Sequence, residues 1–218
     1  MNTNHVADAR APAGAVQTKT KPSAIYSAVK RVLDLIFAVI AVIFAAIPML
    51  VIIALIRIDT HESAIFTQNR VGRNGKVFRC YKYRTMVKTA PRYCAKKELQ
   101  NADALITRTG KILRKTSLDE LPQIFNVLKG DMSFIGPRPL IPDEKEIHEE
   151  RIRRGIYAIR PGISGLAQIN GRDRVEADAK VAYDEQYLRN LCITFDIKIL
   201  LGTLFGVLKG NDIVEGQK

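Results

Sequence analysis

Residues 35–56 read LIFAVIAVIFAAIPMLVIIALI, 22 consecutive positions from Leu35 to Ile56 without a charge. At about 1.5 Å per residue that run makes roughly 33 Å of helix, enough to cross a bilayer core. Pro48 falls inside it, where the missing N–H favours a kink. Both flanks are basic, with Lys30 and Arg31 before the run and Arg57, Arg70 and Arg73 after it. The positive-inside bias would hold both ends on the cytoplasmic face. Two readings follow: a helix that dips in, breaks at Pro48 and returns to the same face, or a straight or mildly kinked spanning helix. The run starts too late for a signal peptide, and no clean small-residue cleavage site follows it.

Outward from this run, residues 1–23 are rich in Ala, Thr, Asn and Lys without an apolar period and read as a disordered tail. On the other side, Ala64–Gln68 and Val77–Tyr83 read as two strands joined by a turn containing Gly72, Asn74 and Gly75. Residues 88–105 show no period and read as a variable excursion. Short helices are expected over Gly110–Lys115 and over Glu120–Leu128, the latter ended by Gly130. Asp143–Arg154 begins acidic, ends basic and stops at Gly155, as the helix dipole and C-cap rules favour. Glu176–Leu191 is a further helical run. Ile193–Leu208 is apolar with Asp196 and Lys198 near one end, a pattern suited to a helix lying in the membrane interface. There are no internal repeats.

Charge is concentrated. Between Arg70 and Lys115 there are 14 Lys and Arg against two acidic residues, Glu98 and Asp103, an excess equal to the net charge of +12 of the whole chain. Such a region suits a highly anionic substrate. Cys80, Cys94 and Cys192 are odd in number and far apart, which fits neither a metal site nor a disulfide framework and suits a reducing compartment. His5, His61 and His148 are equally scattered, a pattern that speaks against a zinc site or histidine triad. Phe78, Tyr81 and Tyr83 alternate with Arg79, Lys82 and Arg84, as nucleic-acid grooves do. That reading gives no role to the acidic pair that follows.

Ser117-Leu118-Asp119-Glu120-Leu121-Pro122 sets two adjacent carboxylates after the basic region. Carboxylates amid cations stay ionised and can serve as nucleophile, base or metal ligand. Ser117 and Glu120 also match a capping box. With Ser117 as N-cap, Pro122 would fall where its missing N–H matters; with Asp119 as N-cap it would not, and Asp119 would face the positive end of a helix dipole. Downstream, Gly136-Pro137-Arg138-Pro139 holds a guanidinium between two prolines, suited either to phosphate or nucleotide contact or to a structural turn paired with a carboxylate. Arg160-Pro161-Gly162, with Gly165 and Gly171, adds another glycine-lined loop.

The order of these segments resembles the bacterial sugar transferases, the small monotopic phosphoglycosyl transferases. The resemblance runs over about residues 25–210, through Lys30–Asp34, Phe66–Arg70, Tyr81–Met86, Ser117–Pro122, Phe125–Leu140 and Arg160–Gly165, and is most specific from Ser117 to Leu140. It implies an α+β fold: a helix-rich cytoplasmic domain with a small β-hairpin or sheet, anchored by an N-terminal re-entrant membrane helix and interfacial amphipathic helices. The implied division is a tail over 1–23, a membrane helix over 24–58, a catalytic domain over 59–210 and a C-terminal tail over 211–218. Longer members carry further N-terminal spans, so this would be the minimal form.

The implied activity is transfer of a sugar 1-phosphate from a UDP-sugar to polyprenyl (undecaprenyl) phosphate, releasing UMP, as the first membrane step of polysaccharide or glycoconjugate assembly. Asp119 would be the nucleophile, forming a covalent phosphosugar intermediate, and Glu120 would support the second step or position the acceptor phosphate. Mg²⁺ beside Asp119 would neutralise diphosphate charge. Lys82 and Arg114 match positions facing the site, and Pro137, Arg138 and Pro139 match the loop that contacts the nucleotide. Implied partners are UDP-sugar, undecaprenyl phosphate, membrane lipid and downstream glycosyltransferases, with no nucleic acid, at the cytoplasmic face of the bacterial inner membrane. Sugar choice falls to loops, with residues 88–105 and 172–180 as candidates. One departure is Ile47, which stands before Pro48 where the family has a Ser-Pro pair. The competing classes are a non-enzymatic basic module and a nucleotide-sugar hydrolase using water as acceptor.

Overall fold

The computed structural model describes residues 22–90, 102–171 and 176–208. The long apolar run lies within one helix, α1, Ala24–Thr60. Ser23 caps its start by accepting a hydrogen bond from the Tyr26 N–H (3.1 Å), and His61 ends it in the left-handed conformation, φ 53°. Pro48 sits inside this continuous element. It leaves the carbonyl one turn back without its usual donor, yet helical structure resumes beyond it.

Two apolar clusters fasten α1 to one globular body. Near its C-terminal end, Met49, Ile52 and Ile56 pack with Ala64, Tyr83 and Leu113. Nearer the N-terminus, Ala38 packs with Cys80, Ile124, Val127 and Met132, and Leu121 touches both clusters. Each fully buried aliphatic side chain stabilises such packing by about 1.5–3 kcal/mol. Polar contacts repeat the pattern at both ends. Lys30 pairs with Asp196 (2.9 Å), and Arg31 donates to the Val127 and Leu128 carbonyls (2.7 and 3.0 Å). At the far end, Asp59 accepts from the Thr109 N–H (3.0 Å). The opposite face of α1 is bare: Phe44 is 80% and Ile47 75% exposed.

The expected hairpin is present, with β1 (Ile65–Val71) antiparallel to β2 (Val77–Tyr83) and Lys82 opposite Phe66. Its turn is built on Asn74 and Gly75, both at positive φ. Helix α2 is Arg108–Lys115, two residues longer at its start than expected because Thr107 caps it, accepting from the Gly110 N–H (2.9 Å). The helix expected over Glu120–Leu128 is two elements: a 3₁₀ segment, Leu118–Gln123, and then α3, Ile124–Lys129. Gly130 ends α3 at φ 91°, as its glycine predicts. Pro122 explains the split. A proline lacks the donor an α-helix needs there, and the tighter first turn tolerates the loss.

Helix α4, Lys145–Arg153, stops at Gly155 (φ 69°) as expected, and further on lies α6, Ala177–Arg189. The short α5, Leu166–Ile169, packs on α6 and on α7, Ile193–Leu208, which starts with the apolar stretch and runs to the last described residue. Asp196 is not a surface group of α7, however. It is buried and accepts hydrogen bonds from Tyr26, Tyr187 and Lys30, so it locks α7 to α1. The apolar face of α7 is open at Ile197, Leu201, Leu204 and Phe205.

One pairing was not expected. β3, Ser133–Ile135, lies parallel to β4, Gly162–Ser164. A Cβ on Gly162 would stand 2.1 Å from the Gly136 nitrogen, and one on Gly136 would stand 2.5 Å from the Arg160 carbonyl oxygen. Both glycines are required by the close approach of two backbones. The fold is thus helix-rich with two small sheets and one long apolar N-terminal helix. The expected tail over 1–23 falls almost wholly outside the described residues, as do Cys94, most of 88–105, residues 172–175 and the stretch 211–218.

Candidate active site

The acidic pair sits on the 3₁₀ segment, at the junction of α2 and α3. Ser117 precedes it in the left-handed conformation (φ 57°) and makes no side-chain cap. Neither capping reading therefore holds, since Asp119 and Glu120 both lie within the first turn and Glu120 reaches outward to cations. Lys82 donates to Glu120 Oε1 at 2.6 Å, and Arg138 approaches the same oxygen at 3.4 Å. Asp119 makes no hydrogen bond or ion pair with any described residue, although Lys82, Arg114 and Arg138 all act on it electrostatically. The expected site residues Lys82, Arg114, Asp119, Glu120 and Arg138 thus converge.

The two carboxylates are adjacent in sequence and opposite in electrostatics. Burial pushes the Asp119 carboxyl up from the ordinary range, with the Glu120 charge adding to the rise and Lys82, Arg114 and Arg138 opposing it. Burial also acts on Glu120, but Lys82, Arg138 and the Lys82 hydrogen bond outweigh it and hold Glu120 down at about 2. Glu120 is therefore a fixed anion that orients two cations. Asp119 is an unengaged carboxylate in a cationic setting, and environments that separate two acids in this way assign them different roles.

Each partner is held from a different element. Lys82 comes from β2, whose backbone is tied to α3 by the fully buried Asn126: its Nδ2 donates to the Arg79 carbonyl (2.7 Å) and its Oδ1 accepts from the Tyr81 N–H (3.0 Å). Arg114 lies in the last turn of α2 and donates from Nε to Thr85 Oγ1 at 2.9 Å. Arg138 stands on a loop whose three successive carbonyls are all taken. Pro137 accepts from the Gly162 N–H (2.9 Å), Arg138 from Arg151 (2.8 Å) and Pro139 from Arg70 (3.1 Å). The two prolines do not fix this loop alone, and among the described residues Glu120 itself is a carboxylate that pairs with Arg138.

Sequence reasoning missed three contributors. Arg70 is half-buried near Arg138 and donates to Gln68 Oε1 (2.7 Å). Burial and the neighbouring Arg138 charge push its guanidinium below the ordinary range. Asn126 had no assigned role although its segment was part of the resemblance. Arg151 and Asp184 form a 2.6 Å ion pair, 3% and 2% exposed, beneath the loop. Their only sequence signal is a charge on each of two helical runs, which elsewhere marks a solvated face.

Among the described residues no group of three or more His, Cys, Asp or Glu is placed to cage a metal. One free hard-oxygen donor, Asp119, is the pattern suited to Mg²⁺, which takes one or two carboxylates and otherwise rides on substrate phosphates.

Comparison with known proteins bears on this site. Residues 25–210 match the family model of bacterial sugar transferases. The galactosyl transferase CpsE of Streptococcus agalactiae is 44% identical over 195 residues, which is 84% of this chain and 42% of that protein. The UDP-N-acetylgalactosamine-undecaprenyl-phosphate N-acetylgalactosaminephosphotransferase of Aeromonas hydrophila is 39% identical over 198 residues, 87% of this chain and 46% of its own. The uncharacterized sugar transferase EpsL of Bacillus subtilis is 38% identical over 186 residues, 85% of this chain and 90% of its own. This chain therefore spans less than half of the first two relatives and nearly all of the third.

Proposed function

Because this chain belongs to the bacterial sugar transferase family, we propose that it transfers a sugar 1-phosphate from a UDP-sugar to undecaprenyl phosphate, releasing UMP. The observation that carries this reading is the unengaged Asp119 among Lys82, Arg114 and Arg138, next to a Glu120 already neutralised. The name of the Aeromonas relative states both a UDP-sugar donor and an undecaprenyl phosphate acceptor.

A carboxylate oxygen of Asp119 attacks the sugar-bearing phosphorus. The bond from that phosphorus to the bridging oxygen breaks, and UMP leaves with the electron pair. Arg138 and Arg114 balance the charge that grows on the departing phosphate, as cationic clamps do in phosphoryl transfer. A phosphate oxygen of the lipid acceptor then attacks the same phosphorus, breaks the aspartyl–phosphate bond and restores the carboxylate. The acceptor is already an anion, so no general base is needed. Glu120, ionised down to about 2, holds Lys82 and Arg138 in place rather than carrying a proton. Pro137 and Pro139 border the nucleotide with Arg138. Asp119 would help to hold Mg²⁺, which would supply charge neutralisation for the diphosphate.

The test is a panel of UDP-sugars assayed for UMP with and without undecaprenyl phosphate. Sustained release should require the acceptor, and without it release should stop at one UMP per enzyme. Continuous turnover without acceptor would make the protein a hydrolase.

The membrane reading is a re-entrant α1 at the cytoplasmic face of the inner membrane. It is supported by the bonds that tie both ends of α1 to one body, through Lys30 and Arg31 at one end and Asp59 at the other. A spanning helix would separate those ends by about 30 Å of hydrocarbon. The exposed apolar faces at Phe44 and Ile47 and at Leu204 and Phe205 suit burial in lipid. In a version without native cysteines, single cysteines at Ser23 and Ser63 should both resist a membrane-impermeant thiol reagent in intact cells. Labelling at position 23 alone would mean that α1 spans.

A further inference from the structure

A cleft that the reaction site does not use opens at the N-terminal end of α1. It is a small, partly open cleft lined by Pro22, Tyr26, Lys30 and Asp34 and by Arg73 and Arg160. Neither Asp119 nor any of its cationic neighbours lines it.

The charges here do not balance. Lys30 is paired with Asp196, and Asp34 accepts from Ser133 Oγ and the Phe134 N–H. Arg160 donates from Nε to the Gly130 carbonyl (2.8 Å), and Arg31 stands behind it, bound to carbonyls rather than carboxylates. The side chain of Arg73, exposed on the hairpin turn, has no hydrogen-bond or ion-pair partner among the described residues. The cleft is thus lined by Lys30, Arg73 and Arg160 against Asp34, with Lys30 already paired outside it. Burial, then the charges of Arg31 and Arg73, push the Arg160 guanidinium below its ordinary range, and the Asp34 charge opposes this only in part. On the turns of α1 that flank the cleft, Ile25, Val29 and Val32 present exposed apolar side chains.

We propose that this cleft binds the phosphate of an anionic phospholipid, held by Arg73 and Arg160, with acyl chains lying along Ile25, Val29 and Val32. Guanidinium groups match phosphate oxygens in geometry as well as charge. A soluble phosphate would use the arginines alone, whereas a lipid also covers the apolar flank. Tyr26, which lines the cleft, donates to Asp196 on α7 (2.9 Å), and tyrosines favour headgroup depth. A lipid seated there would fix the tilt of the catalytic body on the membrane. The inference rests on the membrane reading of α1 and not on the transfer chemistry, so UMP release in detergent reports separately on the latter.

The test is native mass spectrometry of the full chain released from detergent with equal phosphatidylglycerol and phosphatidylcholine. The wild type should retain one phosphatidylglycerol in preference to phosphatidylcholine. That preference should fall about fivefold in Arg73→Gln and about thirtyfold with Arg160→Gln added, in line with the contribution of one basic residue near an anionic surface. Lys76→Gln, on the same hairpin and outside the cleft, should leave it unchanged, and Arg73→Gln should leave UMP release in detergent unchanged. Arg73 is on an exposed turn, so its variant carries the test even where Arg160→Gln impairs folding. Equal retention of the two lipids, or an equal loss in Lys76→Gln, would overturn the site. Displacement of the lipid by low millimolar inorganic phosphate would overturn the lipid assignment and make a soluble anion the ligand.

Discussion

Asp119→Asn should keep the fold and lower UMP release by at least about a thousandfold, as loss of a covalent nucleophile does. An amide has the shape of the carboxylate but cannot accept a phosphoryl group. The stability outcome separates this from a folding defect. Asp119 makes no hydrogen bond or ion pair among the described residues, and burial pushes its carboxyl up, so the native environment opposes its charge. A neutral amide relieves that cost, and the midpoint of thermal unfolding should stay equal or rise. With UDP-sugar alone, quenched wild-type enzyme should be heavier by one sugar phosphate on Asp119, and the variant should not. Retention of a tenth of wild-type UMP release, in protein of confirmed purity, would remove Asp119 from the role of nucleophile.

Lys82→Met should be nearly as damaging, with a loss of about a hundredfold or more, the scale seen when one preorganised charge partner is removed. Its pH profile is the sharper readout. After burial, the Lys82 charge is the largest influence on both carboxylates, and it lowers both. Asp119 must be ionised to attack, so activity falls as the pH drops through its raised value. Without Lys82 that value rises further, and the acid limb of the residual activity should move to higher pH. An unmoved acid limb would mean that ionisation of Asp119 does not control the reaction. The same substitution should weaken acid stability. Glu120 is held at about 2 in the fold against an ordinary 4.5, so it contributes stability above about pH 4.5 that is lost as pH falls toward 2. In Lys82→Met that contribution shrinks, and acid unfolding should begin at higher pH.

Local pattern carried much of the architecture. The apolar run, the hairpin around Asn74 and Gly75, the Gly130 and Gly155 helix ends and the start of α7 all follow from periodicity, propensity and capping, which act over a few residues. The misses have a common cause. The β3–β4 pair, the Asn126 tie and the buried Arg151–Asp184 pair join segments about 30 to 47 residues apart. No local period announces them. Asp196 shows the same limit: beside an apolar stretch it looks like a surface charge, and only the meeting of α7 with Tyr26 and Lys30 turns it into a buried lock.

The sequence by itself determined that this protein has an apolar helix of membrane length, a basic region before an acidic pair, and the motif order of its family. These depend on composition and order along the chain, which need no tertiary contact to be read. Only the tertiary structure decided that Asp119 and Glu120 part ways. Side by side in sequence they are chemically near-equivalent, and what distinguishes them is the distance to Lys82, 2.6 Å from Glu120 and 38 positions back along the chain. A carboxylate's character follows from the charges and solvent around it, and those are set by packing through space.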